Sequence, residues 1–374
     1  MGWDSKTIIW GDLGESFWRR YAELSYYQRR QFLLKYGLQY GDVPKCRKCK
    51  AVFHHCYCND EQHKAIIAAH KAEYKKPFSE KLRHSEELVA KVLEEHKGEK
   101  IYLAYSGGID SECCVRLFQD AIIDGRVTLI TSDTLVDFPE TRAKWVELEQ
   151  ELGVKITFAR PDPGVSYKTI TRCKDLPVYA RAGIDKEKRR PTELCCEGLK
   201  KKNMRKLEKG ATVLILGIRG TENHNRRLKT IRYGDYFFAK SHKQWHVYPI
   251  AYWTIEDVWE FQKLRGFSYN RLYDKTNCGK KGFYLLPNGE YYQIRTGCWP
   301  CPQSIDGGYL IWLKEYFPKF YDAMVNKLGL RDHVIWAHVQ AVMGNLLSKQ
   351  TEICGAFDSL ASKPRKKRLE VIAQ

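Results

Sequence analysis

The stretch Ile101-Tyr102-Leu103-Ala104-Tyr105, followed at once by Ser106-Gly107-Gly108-Ile109-Asp110-Ser111, constrains this chain more than any other. The short apolar run reads as a buried strand, and residues 111–123 return to helical period. Two glycines between them let the backbone turn sharply and approach a ligand with no Cβ in the way. The N–H groups at the helix start, together with the helix dipole, then favour an anion. Ser106 and Ser111 supply hydroxyl donors for phosphate oxygens. Asp110 either holds a Mg²⁺ that bridges phosphates or caps the helix. No Gly-Lys-Ser/Thr follows, so this is not a Walker loop, and it does not spell the Gly-x-Gly-x-x-Gly dinucleotide fingerprint. The competing reading is an ordinary strand–turn–helix that happens to carry glycines.

The same alternation continues along the chain. Strands are expected at 127–131, 154–159 and 211–217, and helices at 139–152 and 254–265. The last of these opens on Thr254 and an acidic first turn. Strands alternating with helices predict an α/β fold with a parallel sheet covered on both faces. Asp133-Thr134 ends the second strand and Gly217-Ile218-Arg219 a later one, on the edge where such sheets bind ligands. Arg219 there can neutralise phosphate or sulfate, and Arg226, Arg227, Lys229 and Arg232 extend a basic surface. Trp253, Val258 and Trp259 read as core. Before this block, residues 1–97 are helical, with a cysteine-dense turn at 46–58 and a helix at 79–97. After it, residues 306–374 are helical and end in the basic tail Lys363-Pro364-Arg365-Lys366-Lys367-Arg368. The central domain is expected over 98–305.

Five ordered segments carry a family resemblance. SGGIDS resembles the pyrophosphate-binding loop of the ATP-pyrophosphatase and adenine-nucleotide α-hydrolase superfamily. Residues 133–141, DTLVDFPET, resemble the Asp-Thr-Gly-x-x-(Phe/Tyr)-Pro-Glu-Thr of phosphosulfate reductases and related ATP sulfurylase subunits. Residues 217–223, GIRGTEN, resemble their Gly-(Ile/Leu)-Arg-x-x-Glu-Ser, with Asn223 in place of Ser. Residues 249–259 and 269–274 resemble Pro-x-x-x-Trp-Thr-x-x-Asp-Val-Trp and Tyr-Asn-x-Leu-Tyr-Asp. The resemblance is to the phosphoadenosine phosphosulfate and adenylyl-sulfate reductase family, and also to DNA-phosphorothioation ATP pyrophosphatases. It implies a Rossmann-like (HUP-type) doubly wound parallel sheet. It also implies an adenine-nucleotide site at Ser106, Gly107, Gly108, Ile109, Asp110, Ser111, Asp133, Thr134, Gly217 and Arg219, with Asp110, Ser111 and Arg219 acting in catalysis.

The thirteen cysteines are clustered, which in a reducing compartment points to metal or redox chemistry rather than disulfides. Cys195-Cys196 with Cys298-Trp299-Pro300-Cys301 makes a set of four thiolates, suited to Zn²⁺ or an iron–sulfur cluster. Adjacent cysteines sit awkwardly on a small tetrahedral ion. The resemblance to cluster-binding adenylyl-sulfate reductases implies a [4Fe–4S] cluster on all four, with Cys278 or Cys173 as substitutes for one of the first pair. Cys46, Cys49, Cys56 and Cys58 read as a zinc knuckle, with a second cluster or no metal as alternatives. Cys113 and Cys114 read as core. Cys354, in Glu-Ile-Cys-Gly, departs from the reductases' Glu-Cys-Gly-(Leu/Ile)-His tail, where the nucleophilic thiol stands.

The net charge of +18 suits a polyanionic partner, DNA or RNA among them, or simply a basic solvated surface. Arginines and aromatics interleave at 18–32, which base stacking could use or a packed helix could explain. No long apolar run suggests a membrane span, and the N-terminus lacks a secretory pattern, so a cytoplasmic protein is expected. The Met-Gly start is only a weak acylation signal, because Lys6 stands where Ser or Thr is wanted.

Two reactions follow. In one, ATP with Mg²⁺ is cleaved at the α–β bond to activate a nucleic-acid substrate for sulfur transfer. In the other, a thiolate attacks the sulfur of a phosphosulfate, and a thioredoxin-like or ferredoxin-like partner supplies electrons while sulfite leaves. Sulfonucleotide reductases usually carry a degenerate loop, so the intact SGGIDS, the altered tail and the charge favour ATP. A nucleotide-binding regulatory protein without turnover is the third expectation.

Overall fold

The computed structural model describes residues 13–24, 32–33, 35–36, 38, 43–44, 61–170, 195–301, 304 and 308–330. The cysteines at 46–58, Cys173, Cys354 and the basic tail lie outside the described residues. In chain order the elements are α1 (Gly14–Glu23), α2 (Glu61–Lys75), α3 (Phe78–Glu95), β1 (Ile101–Ala104), α4 (Ile109–Leu117), α5 (Gln119–Ile123), β2 (Val127–Ser132), α6 (Pro139–Leu152) and β3 (Thr157–Ala159). There follow α7 (Lys202–Glu208), β4 (Val213–Leu216), α8 (His224–Tyr233), β5 (Tyr236–Ala239), β6 (Gln244–Val247), α9 (Ile255–Arg265), β7 (Phe283–Leu285), β8 (Tyr291–Gln293), α10 (Leu310–Tyr316) and α11 (Pro318–Asp322).

The chain divides into two compact units. The larger, residues 85–219, 235–251 and 255–374, contains a six-stranded sheet in the order β3-β2-β1-β4-β6-β5. All its neighbours are parallel except the β5–β6 pair. This is the expected α/β fold. The hairpin β5–β6, which the sequence reading does not anticipate, adds an antiparallel edge. Its turn closes through Lys243 at φ 54°.

Local chemistry sets several boundaries. α6 begins at Pro139, where a missing N–H costs nothing. It stops at Gly153, in the left-handed conformation that glycine tolerates best. The helix expected over 111–123 is two helices, because Phe118 (φ −103°, ψ 14°) leaves helical geometry. Cys113 and Cys114 are fully buried, as the core reading requires, and so are Trp253 and Val258. On one face of the sheet Tyr102, Ile130 and Leu214 pack with Met204 and Leu207 of α7. Tyr105, Glu112, Arg116 and Glu151 form a polar chain that runs from the buried Tyr105 and Glu112 to the exposed Glu151 and ties α4 to α6. The Tyr105 hydroxyl donates to Glu112 (2.6 Å), and Arg116 pairs with Glu112 (2.7 Å) and Glu151 (2.6 Å).

The smaller unit comprises residues 1–84, 220–234 and 252–254. Trp18 and Tyr21 of α1 are buried in an aromatic cluster with Phe17 and Phe32. They are therefore packing residues, which settles the competition with base stacking for these two rings. His70 of α2 bonds Thr230 of α8 through Nε2 (3.0 Å). Among the described residues no helix is long and apolar enough to cross a membrane.

Candidate functional site

Strands β1 and β4 are neighbours, but the sheet grows from them in opposite directions, β1 toward β2 and β3, β4 toward β6 and β5. That reversal is the point where open α/β sheets form a ligand crevice beyond the strands' carboxyl ends. The register aligns Ala104 with both Ile130 and Leu216. The segments leaving that edge together are therefore 105–111, 131–134 and 217–219, which contain the predicted nucleotide residues.

The loop is built tightly. Gly107 has φ 73°, a conformation other residues rarely take. A Cβ on Gly107 would lie 3.0 Å from both Thr141 Cγ2 and Trp145 Nε1. Gly108 precedes α4, and a Cβ there would lie 2.9 Å from Thr296 Oγ1. The Ser111 hydroxyl donates to the Gly108 carbonyl (2.8 Å) and accepts from the Ser106 amide (3.1 Å). The two hydroxyl oxygens stand 3.0 Å apart. Since the Ser111 proton is committed, Ser106 is the donor of that pair, and its proton is the one an incoming phosphate can take over. The Ile109 amide donates to the Tyr273 hydroxyl (3.1 Å), and the first intrahelical bond is Glu112 N–H to Gly108 O (3.0 Å). The Asp110 and Ser111 amides thus belong to the helix's first turn, outside the ladder. Burial raises the Tyr273 phenol, so it stays neutral.

Asp110 and Arg219 face each other. The Arg219 Nε donates to Asp110 Oδ1 (2.7 Å) and Nη2 to Oδ2 (3.3 Å). Arg219 is 3% exposed. Asp110 does not cap α4, since that helix has no side-chain cap. Gly217 is needed for this approach, because a Cβ there would lie 2.9 Å from the Asp110 carbonyl and the Ser111 amide nitrogen. Asp133 is likewise held by arginines, Arg142 (2.6 Å) and Arg160 (3.1 Å). Thr134 turns toward the other constellation. Its amide and hydroxyl both donate to Asp137 Oδ2 (2.8 Å each), and its Oγ1 lies 3.2 Å from Cys298 Sγ. Asp137 and Cys298 form an isolated β-bridge. Burial raises the Asp137 carboxyl above its usual range.

The structure brings the two cysteine pairs into one neighbourhood. Burial pushes Cys195 up to about 12, with Cys196 and then Cys301 raising it further. Burial also pushes Cys298 up to about 12, with Asp137 and Cys301 adding to it and Lys200 opposing. Cys196 is raised by burial and by Cys301. Cys278 bonds locally instead, to Thr276 Oγ1 (3.2 Å) and the Phe283 carbonyl (3.5 Å). Among the described residues no three Cys, His, Asp or Glu side chains stand as a ready-made metal site.

Several residues of the site escape sequence reading. Asn270 donates to the Gly107 carbonyl and to Thr141 Oγ1 (3.0 Å each), and Thr141 donates to the Thr296 carbonyl (3.2 Å). Asn270 lies in a recognised motif, but only the fold shows that its amide holds the loop. Arg226, Arg227, Lys229 and Arg232 belong to the smaller unit.

Comparison with known proteins gives the lineage. A protein of Methanocaldococcus jannaschii named only as uncharacterised is 26% identical over 229 residues, 61% of this chain and 41% of that protein. An adenosine 5'-phosphosulfate reductase of Geobacillus kaustophilus is 28% identical over 180 residues, 48% of this chain and 69% of that enzyme. The chain thus spans less than half of the archaeal relative's length. Among solved structures, a phosphoadenylyl-sulfate reductase of Candida auris in a phosphate complex overlaps 58% of this chain and 91% of its own, at a TM-score of 0.39 and 14% identity. The sequence model of the phosphoadenosine phosphosulfate reductase domain matches residues 100–304. The match takes in the phosphate-type loop, the Asp133–Thr141 segment, Arg219 and both cysteine pairs, and the chain belongs to the phosphoadenosine phosphosulfate reductase domain family.

Proposed function

We propose that this chain is a sulfur-metabolism enzyme of the sulfonucleotide-reductase kind, holding an adenine nucleotide by its phosphate end on the Ser106–Ser111 loop. The observation that carries the reading is Thr134. It leaves β2 at the phosphate edge and sits 3.2 Å from Cys298, so the nucleotide edge and the cysteine group share one residue. In this reading a phosphosulfate with its phosphate on the loop amides turns its sulfur-bearing end toward that junction. A second feature agrees. Both acidic side chains of the edge, Asp110 and Asp133, are engaged by arginines. Asp110 can therefore take Mg²⁺ only by giving up a bond to Arg219.

In this reading the loop amides and the Ser106 hydroxyl bind and orient the phosphate. Arg219 keeps Asp110 from repelling it. A thiolate then attacks sulfur and expels the nucleoside phosphate, Cys354 being the candidate nucleophile, and a thioredoxin-like or ferredoxin-like reductant frees sulfite. The donor set of Cys195, Cys196, Cys298 and Cys301 suits a [4Fe–4S] cluster, which would supply redox capacity beside the sulfur-bearing end. Cys46, Cys49, Cys56 and Cys58 remain the proposed zinc ligands.

One observation favours a second reading, ATP cleaved with Mg²⁺ to activate a nucleic-acid acceptor for sulfur transfer. Both serine hydroxyls and the first turn of α4 are in place, a fuller cradle than a sulfate needs. The charge of +18 agrees with a polyanionic acceptor. Anaerobically purified protein assayed with adenylyl sulfate, its 3′-phosphate and ATP separates the two. Sulfite release abolished by Ser111→Ala supports the first reading, and pyrophosphate release from ATP replaces it with the second. Turnover of none of the three removes both.

A further inference from the structure

We propose that Tyr167 and Tyr309 are positioning residues that hold Cys298 and Cys301 in the geometry a shared iron–sulfur centre needs. Tyr167 follows β3 and Tyr309 directly precedes α10, and both are buried (5% and 2% exposed). Their phenols donate to the two consecutive carbonyls between the cysteines, Tyr309 to Trp299 O (2.5 Å) and Tyr167 to Pro300 O (2.8 Å). The other backbone groups of the turn are matched as well. The Trp299 amide donates to the Val136 carbonyl (3.0 Å) and the Cys301 amide to the Cys298 carbonyl (3.3 Å), while Pro300 has no N–H to satisfy. The Trp299 ring lies flat on Phe320, with centroids 4.8 Å apart. A turn at the surface can take its carbonyl partners from water. Here both partners are buried side chains, one of them 133 positions away in the chain.

Peptide planarity turns these bonds into control of a thiol. The C=O and N–H of a trans peptide share one plane. Anchoring Pro300 O therefore fixes the plane that carries the Cys301 amide and Cα, and anchoring Trp299 O fixes the plane before it. On the Cys298 side the hold comes from the bridge to Asp137 and the Thr134 hydroxyl. The phenols supply the equivalent hold on the Cys301 side. Cys301 is the member whose place matters most, because it raises the thiols of Cys195, Cys196 and Cys298 alike and so stands near all three. Groups that orient metal ligands from behind are typically worth about 10–100-fold in metal affinity. The inference rests on the cluster proposed above and adds the two residues that set its second ligand pair.

The test compares anaerobically purified wild type, Tyr167→Phe, Tyr309→Phe and the double variant in titrations with a ferrous-iron chelator, following iron and visible absorption. Each single variant should give up its iron at roughly 10–100-fold lower chelator concentration than wild type, and the double variant at lower still. Tyr236→Phe removes a phenol that bonds Glu95, away from the cysteines, and should leave the chelator midpoint unchanged. In metal-free protein, Cys301 should be alkylated faster in the Tyr167 and Tyr309 variants than in wild type, a readout that needs no cluster. Folded variants with the wild-type chelator midpoint and Cys301 alkylation rate overturn the proposal and leave the cluster reading intact. An equal shift in Tyr236→Phe does the same. Wild type that carries neither iron nor acid-labile sulfide overturns the cluster reading and the proposal with it.

Discussion

Replacing Arg219 with Met removes the cation from a buried pair and leaves Asp110 charged beside the anion loop. Arg219 Nε and Asp110 Oδ1 are 2.7 Å apart, and the two side chains are 3% and 21% exposed. Removing one partner of a buried pair costs about 3–5 kcal/mol. The residual exposure of Asp110 admits some screening, which brings the expectation to about 2–3 kcal/mol. At about 2–4 °C per kcal/mol, the melting temperature should fall by roughly 4–12 °C. Binding should suffer separately. A lone carboxylate about 6 Å from a phosphate charge, at an effective dielectric constant of about 20, repels it by roughly 3 kcal/mol, or about 100-fold in affinity. Asp110→Asn in the Arg219→Met background removes the stranded charge. The double variant should recover much of both losses, with a coupling energy of about 1–3 kcal/mol in the cycle. Thermal melts and pyrophosphate titrations of the four proteins provide the numbers. A single variant that melts within about 1 °C of wild type, or a coupling below about 0.5 kcal/mol, refutes the reasoning.

Other expectations follow from single positions. Leu135 is half exposed at φ 66°, where the family pattern has glycine. Leu135→Gly should raise stability by about 0.5–1 kcal/mol, strain relief outweighing the glycine's entropy, and a lower denaturant midpoint would contradict this. Gly217→Ala places a methyl against loop backbone rather than a movable side chain. It should cost about 1–3 kcal/mol and weaken pyrophosphate binding together, and loss of one without the other would separate strand packing from loop geometry. In the smaller unit, burial lowers the His70 imidazole below its usual value, with Arg227 adding to the effect and Glu73 opposing it. The folded state therefore refuses a proton that the unfolded chain accepts, so stability falls as pH drops below about 6.5 toward the lowered value. His70→Gln should flatten that acid limb in urea titrations at about pH 7.5 and about pH 5.5.

Much of the fold was legible because β1, β2 and β4 are short apolar runs, each preceded within a few residues by a glycine, a signal local to each segment. The loop was legible for the same reason, since strand, glycines and helix adjoin in sequence. The hairpin β5–β6 was not. Tyr236–Ala239 is only four residues long at a sheet edge, and its pairing with Gln244–Val247 is closed by a basic, non-glycine turn. The helix break at Phe118 has no glycine or proline to announce it. The residues that brace the site were hidden for a different reason. Asn270 reaches Gly107 across 163 positions and Thr134 reaches Cys298 across 164, and such contacts exist only once the sheet edge has formed. The Asp110–Arg219 pair is hidden in the sequence because the two residues lie 109 positions apart.

The most direct test of the central claim is a crystal structure of the anaerobically purified protein with adenylyl sulfate bound. The account predicts the phosphate within hydrogen-bond distance of the Gly107–Ser111 amides and the sulfate directed toward Thr134 and Cys298. A nucleotide bound away from the β1–β4 edge, or one whose adenine rather than phosphate occupies the loop, would contradict it.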